Sequence, residues 1–316
     1  MFEENQTDLT KNSPTCTKDS FRLLLSVLST KAWKIHSLDI KSAFLQGRPL
    51  DRDIFLKPPK EANTSKAWKL KQAVYGLSDA GRHWYDRVKV EFLNLGLTVS
   101  KLDKAVFIFV KDKLFHGMII AHVDDFLFGG DQIFHDEIVS RIKQLFVVGL
   151  EESTDMRYLG LNVCQNATGI LLSMDQYIEG IEPIVLEASN SYDKNNELPK
   201  YQYNYYRHLI GQINSCSTQV RLDASFLNCQ LSNASKKTCI KDVLTANKTV
   251  RNLKSVEMKV LFSPLKHDDV FLVVFTDASF ANLPSGGSQG AFVIFWLMIW
   301  ELLMFLGKVG ASAIVL

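Results

Sequence analysis

Between residues 118 and 130 the chain reads MIIAHVDDFLFGG, two short apolar runs of strong β preference separated by a pair of aspartates, Asp124 and Asp125. That pattern predicts strand, acidic turn, strand. Aspartate is a favoured turn residue, so the pair standing alone is explained by turn chemistry. A second strand-like run, WKIHSLDI at 33–40, ends in Asp39. Helical spacing governs the stretches between. Phe21, Leu24, Leu25 and Leu28 fall on one side of a short helix over 18–29. Ala80, Trp84, Val88, Phe92 and Leu95 mark a second helix, with Ser78 or Asp79 as its cap and Gly96 as its stop. Phe134, Ile138, Ile142, Leu145 and Phe146 mark a third over 132–146. The double-aspartate hairpin lies between these two helices, which predicts an antiparallel sheet packed on helices.

From 176 to about 263 the pattern is mostly helical. Leu209, Ile213 and Cys216, then Leu227 and Leu231, suggest paired helices, and 244–253 suggests another. A polar stretch, SNSYDKNNELPKYQ at 189–202, reads as a flexible connection between the two regions. Residues 1–17 are polar and are expected to be irregular. The tail, 290–316, is long enough and apolar enough to cross a bilayer. Glu301 would then sit near mid-span at appreciable cost, so a membrane anchor is not the expectation.

The chain has 316 residues, 47% of them hydrophobic, which suffices for two domains or one large one with a substantial core. Its net charge of +2 is only weakly basic. Affinity for nucleic acid would therefore come from a local groove rather than from the overall field. The Lys and Arg residues of 66–87, interleaved with Trp68, Tyr75, Trp84 and Tyr85, are candidates for that groove; the alternative is a solvated basic face over core aromatics. Five cysteines without a C-x-x-C pair argue against a zinc site and a disulfide framework, and for a reducing compartment. No basic-then-apolar signal peptide opens the chain, so it is not expected to be secreted.

Asp39 after one strand and Asp124 and Asp125 on a later hairpin would converge if those strands lie side by side. Like charges so close raise one another's pKa, and such a cluster needs cations to be stable. Two divalent ions suit phosphoryl transfer, one activating the attacking oxygen and one steadying the leaving group.

At this point the sequence resembles a known family. LDIKSAFLQGRPLDRDIFLKPP (38–59), WKLKQAVYGLSDAGRHWYDRV (68–88), HVDDFLFGGD (122–131) and YLGLNV (158–163) resemble successive blocks of the copia-type retrotransposon reverse transcriptase. Two further stretches follow in that family's order: YRHLIGQINSCSTQVRLDASFLNCQLS (206–232), and VVFTDASFANLPSGGSQGAFVIF (273–295), similar to the opening of a ribonuclease H domain. The resemblance implies an α+β fold, a reverse-transcriptase palm with a helical thumb or connection and an incomplete ribonuclease H-like hairpin. The expected organisation is an N-terminal remnant over 1–17, fingers remnant and palm over 18–188, thumb or connection over 189–265, the partial ribonuclease H-like segment over 266–296, and a divergent tail over 297–316. The chain would be a fragment of a Pol polyprotein truncated at both ends, lacking upstream fingers, and weakly active or inactive by itself.

Residue by residue, the resemblance makes Asp39, Asp124 and Asp125 the catalytic and metal-binding carboxylates, holding two Mg2+ ions, with Mn2+ as an alternative. His122 stands where the family commonly has tyrosine, beside the primer terminus; it reads as a packing histidine or, less favourably, a metal ligand. Phe44 corresponds to the ring that excludes a ribose 2′-hydroxyl, its plain alternative being core packing. Gly76 corresponds to a glycine lying against the incoming nucleotide, or it is an ordinary turn glycine. Tyr158, Leu159 and Gly160 resemble the turn that grips the primer. Asp277 corresponds to the first ribonuclease H carboxylate, and Glu301 is the only acidic residue after it, so ribonuclease H activity is not expected. The implied partners are an RNA template, a DNA primer, deoxynucleoside triphosphates and the rest of the polyprotein or a partner chain. The implied location is cytoplasmic, in virus-like particles, or nuclear. The alternative is a noncatalytic nucleic-acid-binding relic of the same element.

Overall fold

In the computed structural model the described residues are 12–186, 193–265, 270–281 and 286–298. The chain divides into two compact units, one up to Met156 and one from Arg157 onward. The division falls upstream of the polar stretch at 189–202.

The first unit opens with α1 (Lys18–Lys31), whose N-cap Thr17 accepts a hydrogen bond from the Ser20 amide. Phe21, Leu24, Leu25 and Leu28 are all buried, as their spacing predicts. After β1 (His36–Ile40) the chain makes a short 3-10 turn, Ala43–Gln46, and a two-residue ladder, Phe55–Leu56 with Trp68–Lys69. α2 (Ala80–Asn94) follows with Ala80, Trp84, Val88 and Phe92 inward. Asp79 occupies its N-cap position but does not cap it. Its buried carboxylate instead takes Arg52 at 2.5 Å and the His83 ring at 3.2 Å, and the Arg52 guanidinium holds its carboxyl below the usual range. The charged Arg52 guanidinium has outcompeted the helix amides for this carboxylate.

Strands β2 (Thr98–Val99), β3 (Val106–Lys111), β4 (Leu114–His122), β5 (Asp125–Gly130) and β6 (Val148–Ser153) complete an antiparallel sheet of order β2-β3-β4-β5-β1-β6. Between β5 and β6 runs α3, built from Gln132–Phe134, a π-helical turn at His135–Val139, and Ser140–Leu145. The two faces of the sheet follow from strand alternation. On one, Leu38, Ile40, Phe107, Ile119, Phe126 and Phe128 meet Trp84, Phe92, Phe134, Ile138 and Phe146 in a continuous core. Gly117 and Gly130 are cross-strand partners there, and a Cβ on either would overlap the Phe134 ring. On the other face Leu28 of α1 lies over Gly129, where a Cβ would come within 2.5 Å of it.

The second unit carries a four-stranded sheet of order β10-β9-β8-β7, from β7 (Asp155–Tyr158), β8 (Leu161–Asn166), β9 (Gly169–Ser173) and β10 (Val260–Phe262). The division between the units runs through β7. Helices α4 (Asp175–Glu179), α5 (Tyr203–Gln219), α6 (Ser225–Ala234) and α7 (Ile240–Ser255) make up the expected helical region. Leu209, Ile213, Cys216 and Leu231 are buried as expected, and Leu227 is half-buried. The helix expected at 244–253 is α7, with Val243, Ala246, Val250 and Leu253 on its inward face. Residues 189–192 of the expected flexible connection lie outside the described residues. The remainder is docked rather than free: Leu198 is buried, its amide donates to Thr238 at 2.8 Å, and Glu197 bridges to Cys239. The polar composition concealed that one apolar anchor. Buried Arg221 donates to the Leu253 and Val256 carbonyls and pairs with Asp223, satisfying acceptors at the end of α7.

The last described element is a hairpin of β11 (Val270–Ser279) and β12 (Gln289–Met298). Residues 1–11 of the expected irregular start and 299–316 of the apolar tail, Glu301 included, lie outside the described residues. Among the described residues no helix is long and apolar enough to cross a membrane.

Candidate active site

β1 and β5 are adjacent and antiparallel, and Asp39 and Asp125 are direct cross-strand partners. The Ile40 amide donates to the Asp124 carbonyl at 2.9 Å, which ties the end of β1 to the hairpin turn. Leu38 and Ile40 are committed to the core, so alternation turns Asp39 to the opposite face, and Asp125 shares that face because Phe126 is buried. α1 covers the same face over Gly129, four residues and about 13 Å further along β5 at ordinary strand rise. The carboxylates at the turn end are left half-buried.

Val123 and Asp124 form the two-residue turn between β4 and β5. Val123 has φ 58°, a region that β-branched residues rarely enter and that costs about 1–3 kcal/mol. Trp84 of α2 holds it there, its indole N–H donating to the Val123 carbonyl at 2.6 Å. That contact assigns Trp84 to the core and the hairpin, not to a surface groove. Tyr85 is buried too, its hydroxyl donating to the Lys104 carbonyl at 2.8 Å. Arg82 and Arg87 are engaged by Asp86 and Glu91 one turn on. Within the expected basic and aromatic groove, only Trp68 and Tyr75 remain exposed aromatics.

Burial, then the charges of Asp124 and Asp39, push Asp125 up to about 6. The smaller, charge-borne part of this shift is the mutual repulsion expected of converging carboxylates. Hard oxygen donors of this kind suit Mg2+, and a cation would relieve the repulsion, so the donor set fits a divalent ion by type and backbone placement. The side chains as placed do not close around one: among the described residues no three His, Cys, Asp or Glu side chains are grouped as a metal site requires. The Asp39 carboxylate rests over Gly149 of β6 instead.

His122 pairs with Asp125 across the hairpin and so shares the carboxylate face. It is half-buried, its Nδ1 has no hydrogen-bond partner, and burial lowers its pKa, which favours the neutral ring. Phe44, in the 3-10 turn after β1, packs against the Tyr75 ring with centroids 4.6 Å apart. Desolvation, then the charges of Asp124 and Asp39, raise the Tyr75 hydroxyl above its ordinary value. Gly76 follows at φ 100° with no atom within 4 Å of where its Cβ would be, so the turn conformation itself calls for glycine. Tyr75 had been noticed only as one aromatic among several; its pairing with Phe44 depends on tertiary structure.

Tyr158, Leu159 and Gly160 belong to the second unit. Leu159 and Gly160, at φ 51° and 79°, turn β7 into β8, while the Tyr158 side chain is buried and offers only backbone to a ligand. Asp277 lies exposed on β11, opposite Ala291, with its carboxylate taking the Ala278 amide. The hairpin 270–298 contains no second acidic residue.

A family model described as reverse transcriptase (RNA-dependent DNA polymerase) matches residues 3–196. Among curated relatives, the retrovirus-related Pol polyprotein from transposon RE1 of Arabidopsis thaliana is 31% identical over 171 residues, 52% of this chain and 12% of that polyprotein. The corresponding polyprotein from transposon RE2 of the same plant is 30% identical over 170 residues, with the same two shares. That from transposon TNT 1-94 of Nicotiana tabacum is 27% identical over 184 residues, 54% of this chain and 13% of the polyprotein. The matched stretch thus spans only a small part of these relatives' length. The family match ends before α5, so α5, α6, α7 and the C-terminal hairpin lie outside it. Over the part that carries the paired aspartate strands, the chain belongs to the reverse transcriptase (RNA-dependent DNA polymerase) family.

Proposed function

We propose that this chain carries the polymerase site of a copia-type RNA-directed DNA polymerase, with the first unit as its palm. The reaction is attack of a primer 3′-hydroxyl on the α-phosphate of a deoxynucleoside triphosphate paired to an RNA template, with pyrophosphate leaving. The observation that carries the reading is the direct pairing of Asp39 with Asp125 beside the Asp124 turn. Asp39, Asp124 and Asp125 are the residues that would hold two Mg2+ ions, which when bound lower the pKa of the hydroxyl and neutralise phosphate charge.

The remaining roles belong to the chain's own side chains. Trp84 and the strained Val123 hold the hairpin tip, fixing the turn backbone from which Asp124 and Asp125 project. Phe44, backed by Tyr75, supplies a bulky apolar wall that would exclude a ribose 2′-hydroxyl. Gly76 keeps the adjacent turn free of a side chain where a nucleotide would lie. Leu159 and Gly160 present turn backbone to a primer strand, and α5 to α7 serve as thumb or connection. The β11–β12 hairpin is the start of a ribonuclease H-like segment without a complete acidic set.

The test is Mg2+-dependent deoxynucleotide incorporation on an RNA template with a DNA primer. Asp124→Asn should reduce it to background, and an unchanged rate would sink the assignment. A second reading, nucleic-acid binding without turnover, draws on the open arrangement of the three carboxylates. It is favoured if primer-template binding persists in EDTA while no nucleotide is incorporated.

A further inference from the structure

We propose that His36 and His135 form an acid-sensitive latch, which holds α3 on the central sheet at neutral pH and loosens it in mild acid. His36 lies on β1 two residues before buried Leu38, so strand alternation puts it on the core face, and its cross-strand partner is Phe128. Its ring stacks on Phe128 with centroids 5.5 Å apart and meets the His135 ring edge-on at 4.9 Å. His135 opens the π-helical turn of α3, where the ordinary helical ladder is interrupted. Both rings are half-buried.

The pair is set apart by having no counter-charge of its own. His83 and His116, in the same unit, each have a carboxylate within reach, Asp79 at 3.2 Å and Asp131 at 2.7 Å. Neither the His36 nor the His135 imidazole makes a hydrogen bond or ion pair among the described residues. The acids around them are engaged elsewhere: Glu151 of β6 by Lys143 at 2.7 Å, Asp131 by His116 and the Phe134 amide, and Asp136 by Gln132 at 2.8 Å. Ser153, the partner of His36 on β6, brings no charge. Lys34, just before β1, and Lys143 of α3 add to the repulsion that a proton on His36 would meet. Burial first, then His135, lower His36 to about 4, and burial also lowers His135. Between the ordinary value of 6.5 and about 4 the unfolded chain therefore binds protons that the folded chain refuses. The stability contributed by the neutral pair is complete above that window and is lost as pH falls through it. A charged ring 4.9 Å from its neighbour is relieved by moving α3 away from β1 into water.

The test combines denaturant unfolding with amide hydrogen exchange between pH 7 and pH 5, on the wild-type chain, His36→Phe and His36→Phe/His135→Phe. From this pair the wild-type unfolding constant should rise on the order of tenfold over that range. His36→Phe keeps a ring over Phe128 but takes no proton, and should lose most of that rise; the double variant should lose the rest. Asp125, which works in the opposite sense, is common to all three chains and cancels in the comparison. In the wild type, exchange corrected for its intrinsic pH dependence should speed up in 132–146 before it does in α2. A rise as steep in both variants as in the wild type overturns the proposal. So does exchange that speeds up equally in α2 and α3, which is general acid unfolding, or exchange that does not change at all. The exchange measurement needs no variant, so it decides the matter even if His36→Phe fails to fold.

Discussion

Two hairpins in this molecule carry an aspartate on a strand, and they differ in everything around it. The β4–β5 hairpin lies inside a six-stranded sheet, with Phe126 and Phe128 buried against α2 and α3. Its Asp125 faces Asp39 from a third strand. The β11–β12 hairpin forms a two-stranded sheet, with Phe271, Leu272, Val274, Phe292 and Ile294 all exposed. Its Asp277 meets no other acid on either strand. A carboxylate becomes a candidate catalytic group when other elements fix its direction and bring it companions; a strand and a resemblance do not suffice.

The largest effect that could break this contrast is on activity. Asp124→Asn should abolish primer extension, whereas Asp277→Asn should leave it unchanged; equal losses would show that the two hairpins share a site. Stability comes next. Trp84→Ala removes a fully buried ring and the hydrogen bond to Val123, and should cost about 3–5 kcal/mol in denaturant unfolding. Trp84→Phe keeps most of the packing and should lose about 1 kcal/mol for the missing hydrogen bond. Phe292→Ala, at a ring that is 71% exposed, should stay within about 0.5 kcal/mol.

Glycine substitutions sharpen the same comparison on a smaller scale. Gly130→Ala drives a methyl into Phe134 and should destabilise by about 1–3 kcal/mol. Gly290→Ala meets nothing nearer than 3.8 Å and should be close to neutral. If both are neutral, the sheet around the aspartates is looser than its packing indicates.

The smallest effect is a pH dependence. With its pKa pushed up to about 6 from 3.8, folded Asp125 holds its proton more tightly than the unfolded chain does. Its contribution to stability therefore falls as pH rises from about 4 to about 6, and stays at the lower level above that. Asp125→Asn should raise the unfolding midpoint at pH 8 without divalent metal and leave it unchanged at pH 4. Added Mg2+ should narrow the gap at pH 8, since a cation favours the charged wild-type carboxylate. No difference between pH 4 and pH 8 would remove the evidence that burial and the neighbouring acids raise the Asp125 pKa.

Helices at 18–31 and 80–94 were legible because each is an amphipathic segment whose apolar spacing alone selects a face. The double-aspartate hairpin was legible because strand preference and turn chemistry agree over a dozen residues. Less local features were not. Asp79 looked like a helix cap, but Arg52, far away in sequence, claimed its carboxylate. The helix at 244–253 was legible, but which of its residues face inward is decided by what packs on it. Gly149 left only a weak trace, a glycine within a β-prone run, which hints at a bulge or a close approach without naming the side chain that comes near.

The amino-acid order by itself determined which segments become strands and helices, and that three aspartates lie at or beside strand ends, because periodicity and turn preference act over a few residues. Only the tertiary structure decided that Asp39 and Asp125 share a face, that Trp84 clamps the Val123 turn instead of lining a groove, and that Gly149 makes room for the Asp39 carboxylate. Each of those depends on strand register and on side chains meeting across long sequence separations. In a strand, a slip of one residue would have turned Asp39 or Asp125 into the core.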